Sequence, residues 1–223
     1  MARNFSRAFT FIELLVVMVV IGILFSIAYP VYTGVLERAK VTKDMNNLRQ
    51  IGVATQTYMN ENDGALPGSA TVTWMSQLHP KYLSSWNVFQ SPFDIRGASE
   101  LGDATTPVSY GINGNNVVGT SADKITKPTI FVLLAPAEAA GATVTFLGAA
   151  NSPAPGVTVS GGPSGQATST PGGTATAGAQ NNRTRINALF ADLHCETMLW
   201  TTFTQNTANP PSDPDGYFRW NPF

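Results

Sequence analysis

From Leu14 to Leu36 the chain carries no charged side chain, and Glu13 stands immediately before that run. As a helix, such a segment is long enough to cross a hydrocarbon layer of about 30 Å. Burying an unpaired carboxylate at its threshold costs several kcal/mol. A simple anchor gains nothing from an acid there. A chain that packs beside copies of itself does, because a neighbour's positive group can meet it. The segment thus needs an apolar wrapping, and its acid needs a partner.

Two basic residues, Arg3 and Arg7, precede the apolar run, as in a targeting segment, and Ser26-Ile27-Ala28 offers a small-x-small site to a general signal peptidase. Against an ordinary secretory signal stand Glu13 and the helical pattern that continues beyond Ala28. Cleavage at the small-x-small site would leave a mature chain starting at Tyr29, and a plain anchor would keep Met1 or Ala2. Arg38, Lys40 and Lys43 follow the run closely, so basic residues flank it on both sides and charge alone sets no orientation.

Pro30 removes a backbone donor and crowds the preceding turn, which predicts a kink, and Gly22 weakens the same stretch by about 1 kcal/mol relative to Ala. From Glu37 to Asn62 the helix turns amphipathic. Val41, Met45, Leu48, Ile51, Thr55 and Tyr58 recur at spacings of three and four, with Lys40, Lys43, Asp44, Arg49 and Glu61 mostly off that stripe. Asn62-Asp63-Gly64 supplies the stop. A helix from Phe9 to Asn62 is about 80 Å long.

The rest, 63–223, is punctuated by Gly and Pro and reads as one β-rich head. Strand candidates are Val108–Ile112, Thr129–Leu134, Thr143–Leu147, Ile186–Ala191 and Cys195–Trp200. Trp74–Leu78 and Lys81–Leu83 suggest a helical turn. A sheet of about four antiparallel strands laid on the amphipathic half of the helix buries both. Residues 148–182 shift to Gly, Ser, Thr, Ala and Pro and cannot fill a core, so they predict a flexible exposed loop.

Only 12% of residues are charged and the net charge is −1, with no Lys/Arg block, so nothing points to a nucleic-acid partner. Cys195 is the one cysteine, so no internal disulfide forms.

Arg7-Ala8-Phe9-Thr10-Phe11-Ile12-Glu13-Leu14-Leu15-Val16-Val17 resembles the processing site of the type IV pilin and type II secretion pseudopilin superfamily. Asn46-Asn47-Leu48-Arg49-Gln50-Ile51-Gly52 with Tyr58, and then Asn62-Asp63-Gly64-Ala65-Leu66-Pro67, is similar to a stretch of G-type pseudopilin-like proteins. The resemblance implies an α+β fold, a long N-terminal helix packed against an antiparallel β-sheet head. It divides the chain into a leader (1–8), a transmembrane and filament-core half-helix (9–36), an amphipathic half-helix (37–62) and the head (63–223).

It further implies cleavage by a prepilin peptidase between Ala8 and Phe9, where Ala8 replaces the family's usual Gly, and methylation of the new N-terminal Phe9. By the same resemblance Glu13 pairs with the terminal amine of an adjacent subunit, while Gly22 and Pro30 mark where the helix loosens on leaving the membrane. The implied partners are the lipid bilayer, the peptidase, an inner-membrane assembly platform and further copies in a helical filament. The resemblance also implies a cytoplasmic leader, a periplasmic head, and a finished filament that is extracellular or periplasmic. The implied function is a structural subunit of a pilus or secretion pseudopilus, not an enzyme. The alternative is a minor or tip subunit whose head binds a secreted substrate or a surface.

Patches of the head share the likeness. Val88-Phe89-Gln90-Ser91-Pro92-Phe93-Asp94 and Ser109-Tyr110-Gly111-Ile112-Asn113 resemble a subfamily stretch in which Ser91 is a Cys, so the resemblance implies a lost disulfide or metal option. Asn187 to His194 resembles another, with Leu193 in place of Gly, which suggests a continuous strand where a tight turn is usual.

Other chemistry is sparse. Asp192, His194 and Glu196 alternate, so on one strand they share a face able to hold a metal, against the plainer reading of an edge strand facing solvent. Asp213 and Asp215, in a Pro-Asp-Gly setting, are oxygen donors of the kind calcium takes, though their spacing fits no fixed calcium loop and such a sequence is a common turn. No other cofactor is implied. His79, beside Pro80, reads as an isolated surface residue, and Cys195 as a small apolar side chain. The aromatic tail Tyr217–Phe223 packs either on its own head or on a neighbour.

Overall fold

The computed structural model describes residues 9–69, 72–93, 108–113, 117–136, 145–146, 184–203 and 215–222. The leader, the whole loop at 148–182, and Asp213 lie outside them. The chain divides into two compact units, Met1–Ala39 and Lys40–Phe223.

In the first unit the described chain is the start of helix α1 (Phe11–Glu61), which runs unbroken through Gly22 and Pro30. Its large apolar side chains from Phe9 to Leu36 are all exposed. The hydroxyls of this half turn back on their own helix: Ser26 Oγ donates to Ile23 O at 2.8 Å and Thr33 Oγ1 to Pro30 O at 3.0 Å. Thr33 is thereby bonded in the turn that follows Pro30, and neither hydroxyl is left to be desolvated unpaired.

In the second unit the end of α1 is set by its last residues. Asp63 and Gly64 take positive φ (52° and 75°), and Gly64 N donates to Met59 O at 2.9 Å, closing the final turn as the Asn-Asp-Gly sequence predicts. Leu48, Ile51, Ala54 and Met59 on this half join one core with the sheet. Helix α2 (Trp74–Leu78) begins at Thr73, whose hydroxyl caps Ser76 N.

Five strands form the sheet among the described residues: β1 (Tyr110–Asn113), β2 (Val132–Pro136), β3 (Thr145–Phe146), β4 (Arg185–Phe190) and β5 (Cys195–Leu199), in the order β3-β1-β2-β4-β5. β1, β2, β4 and β5 pair antiparallel, and the two-residue β3 pairs parallel with β1. Every expected strand is present with shifted ends: residues 129–131 form a turn before β2, and Trp200 opens helix α3 (Trp200–Phe203) instead of extending β5. The antiparallel sheet of about four strands is found, with β3 as the parallel addition.

Three expectations are corrected. Asp44, read as one of the residues mostly off the apolar stripe, is wholly buried. Leu193 does not continue a strand. With φ at 69° it occupies the turn between β4 and β5, where Leu193 N donates to Phe190 O at 2.9 Å, so the turn persists without Gly. His79 is half-buried and stacked on Trp86, with ring centroids 4.2 Å apart.

The aromatic tail closes onto its own head. Helix α4 (Gly216–Trp220) buries Trp220 completely, its indole donating to Phe203 O at 3.0 Å. Thr126 N donates to Pro222 O at 2.7 Å. The Pro222 carbonyl is thereby satisfied inside the fold.

Candidate assembly site

At the helix start, Thr10 and Glu13 cap each other. Glu13 Oε2 accepts from Thr10 N at 2.8 Å and from Thr10 Oγ1 at 2.7 Å, and Glu13 N donates to Thr10 Oγ1 at 3.3 Å. Thr-x-x-Glu is a capping box, which satisfies two of the donors that a helix start leaves without partners. Its signature is plain in Thr10-Phe11-Ile12-Glu13 and is missed when Glu13 is read only for an outside partner. The carboxylate also lies in the first turn, where the helix dipole favours negative charge. Glu13 is therefore placed at the open end of the helix, with Phe9 beside it and 84% exposed.

Around this end the surface is apolar and unfilled. Phe11, Leu14, Leu15, Met18 and Val19 line a shallow groove along the helix, and all are exposed. Among the described residues, α1 is the one helix long and apolar enough to cross a membrane. Ala8 lies outside the described residues, while Gly22 and Pro30 sit within the helix.

The other candidates are dispersed. Asp192 lies in the β4–β5 turn, bonded to His194 Nδ1, and Glu196 lies on β5, so the three alternating residues share no strand. All three are exposed at an edge of the sheet, in keeping with a solvent face, and His194 stacks flat on Phe190 with centroids 4.3 Å apart. Among the described residues no group of three or more His, Cys, Asp or Glu could hold a metal. Asp215 accepts from Lys127 Nζ at 2.7 Å, an ion pair that answers one of its oxygens. Cys195 is half-buried against the core, and burial pushes its thiol up to about 11.

Sequence reading missed one constellation inside the second unit. Asp44 Oδ1 accepts from Ser91 Oγ and from Tyr110 OH, each at 2.6 Å, and Asp44 Oδ2 accepts from Asn187 Nδ2 at 2.8 Å. Asn47 Nδ2 donates to Gln90 O at 2.9 Å beside them. Ser91 thus serves as a hydrogen-bond donor to a buried acid at the position where the resembling proteins have Cys. The spacing that puts Asp44 four residues before Leu48 is the one available signal.

A family model described as a prokaryotic N-terminal methylation motif matches residues 3–29. The chain is 33% identical over 72 residues to the type IV major fimbrial protein FimA of Dichelobacter nodosus, covering 32% of this chain and 45% of that protein. It is 35% identical over 90 residues to a fimbrial protein of Neisseria meningitidis serogroup B, covering 39% of this chain and 52% of that protein. The chain therefore spans about half the length of the curated relatives it matches. No solved structure matches it significantly. With a methylation motif over the capped end of an exposed apolar helix, and an antiparallel sheet packed on the amphipathic half of that helix, the chain is similar over part of its length to type IV fimbrial proteins.

Proposed function

We propose that this protein is the structural subunit of a pilus or pseudopilus-like filament, cut by a prepilin peptidase between Ala8 and Phe9 and assembled from the inner membrane. The observation that carries the reading is the apolar half of α1, exposed from Phe9 to Leu36 and capped by a carboxylate. Water is excluded from such a surface only by lipid or by other apolar helices, and both lower the free energy by the same hydrophobic term. Lipid holds the subunit first, with its head in the periplasm, and copies of itself replace the lipid in the fibre.

Glu13 supplies the selectivity. Its carboxylate accepts from Thr10 of its own chain, and it lies close to the residue that cleavage makes the N-terminus. An acid here costs several kcal/mol when buried without a cation. The amine of an adjacent subunit's Phe9 removes that cost, so correct axial stagger between subunits is favoured over incorrect stagger. Gly22 and Pro30 are the places where the helix gives way during the transfer. The role is one of assembly, not catalysis.

Mass spectrometry of the mature protein is expected to find methylated Phe9 at its N-terminus. Glu13→Ala is expected to reach the membrane in normal amount yet fail to enter filaments. A mature chain beginning at Tyr29, or filaments of normal abundance from Glu13→Ala, would overturn the assignment.

A further inference from the structure

The buried acid at Asp44 has no use in packing apolar half-helices, and it links more of the head than any other polar side chain described above. Its three donors come from separate parts of the second unit: Ser91 follows the 3₁₀ turn Trp86–Phe89, Tyr110 belongs to β1 and Asn187 to β4. Asn187 extends the network to β5, accepting from Thr197 Oγ1 at 2.6 Å, and it also donates to Val41 O of α1 at 3.4 Å. Among the described residues no cation is in contact with the Asp44 carboxylate. A carboxylate in that position is satisfied as an acceptor yet remains fully desolvated, so its charge is costly even with every donor in place.

We propose that Asp44 is a proton-sensitive latch that fastens the sheet and the Ser91 segment to α1, tight in acid and looser as the pH rises. Burial is the largest influence on its carboxyl and raises it above the usual range, and the bonds from Ser91, Tyr110 and Asn187 pull part of the way back. The other titratable groups facing it are Tyr110 from β1 and Cys195 from β5, and Arg49 of α1 acts on the same cysteine. Among the described residues, Asn187 of β4 and the Ser91 segment contribute no titratable group to the cluster, and Lys40 and Lys43 of α1 are exposed. Tyr110 and Cys195 are both pushed upward, into the alkaline range. Within the cluster, Asp44 is therefore the group whose ordinary value lies in the acid range.

The sign follows from proton counting. Above the ordinary aspartate value of about 3.9 the unfolded chain sheds a proton that the folded chain keeps. Stability from this group is therefore full below that value, declines as pH rises, and levels off once the folded acid has ionised. The slope is at most about tenfold in the folding constant per pH unit. This latch is independent of whether the filament reading holds.

The test uses the full chain in neutral detergent micelles, unfolded with urea and followed by the fluorescence of the buried Trp74, Trp200 and Trp220. Between pH 4 and 8, Asp44→Asn is expected to remove the component of pH dependence described above. Tyr110→Phe and Ser91→Ala each keep the acid with one donor fewer, so the pH at which stability levels off is expected to move upward. Parallel pH profiles for wild type and Asp44→Asn would overturn the proposal. Should Asp44→Asn fail to fold, the other two variants decide: an upward move supports the latch, and an unmoved or lowered levelling-off overturns it.

Discussion

Gly52 of α1 and Leu189 of β4 meet with no room to spare: a β-carbon on Gly52 would stand 3.2 Å from Leu189 Cδ1 and 3.7 Å from the backbone oxygen of Leu193. Helix and sheet are in contact here through a missing side chain. Gly52→Ala sets a helix-propensity gain of about 1 kcal/mol against that crowding, and the flexible tip of Leu189 can yield, so a small net change is expected. Gly52→Leu has no such escape and is expected to lose about 1–3 kcal/mol, read as a lower urea midpoint at unchanged slope.

Thr10 and Glu13 give a second expectation. Thr10→Ala removes one half of the capping box and should cost about 1 kcal/mol locally. Faster amide exchange over residues 11–14 in micelles would show it, with Thr10→Ser close to wild type. Unchanged exchange would mean that the cap contributes nothing.

The Trp220 indole fills the core from the tail side and holds Phe203 O. Trp220→Ala should lose about 3–5 kcal/mol, enough to leave the head only marginally folded. Chemical unfolding of the full chain measures this directly. A loss below 1 kcal/mol would mean that the tail merely rests on the head.

Cys195 carries a pH expectation. With its thiol pushed up to about 11 by burial, the thiolate fraction at pH 8 is about two orders of magnitude below that of a free thiol near 8.5. Alkylation of the folded chain should be correspondingly slow and should speed up in urea. The folded state retains this proton while the unfolded thiol loses it above about 8.5. Stability from this group therefore declines as pH rises from there toward 11.

Much of the architecture can be read from the sequence because its signals are local. The uncharged run, the three-and-four spacing of Leu48, Ile51 and Thr55, and the Asn-Asp-Gly stop each act within a few residues. The Asp44 network is not local. Ser91, Tyr110 and Asn187 lie 47, 66 and 143 residues away from it in sequence. Position places Asp44 on the buried stripe, four residues before Leu48, whereas polarity alone places it outside, and position prevails because the donors exist. The β4–β5 turn shows the same limit. Leu193 lacks the freedom of Gly, yet the pairing of β4 with β5 fixes where the chain must reverse, and Asp192 Oδ1 accepts from His194 N at 3.2 Å to hold the bend. The Thr10–Glu13 cap was legible throughout as a Thr-x-x-Glu pattern.

The borders of the sheet bear on how such a protein avoids joining itself in the wrong manner. Among the described residues one border is β5, which holds Glu196 out to solvent, and the opposite border is β3, only two residues long. A charged rim and a stub are both poor templates for adding a foreign strand. Growth by uncontrolled ribbon extension, the route to amyloid-like clumping, is thereby discouraged at both of these borders.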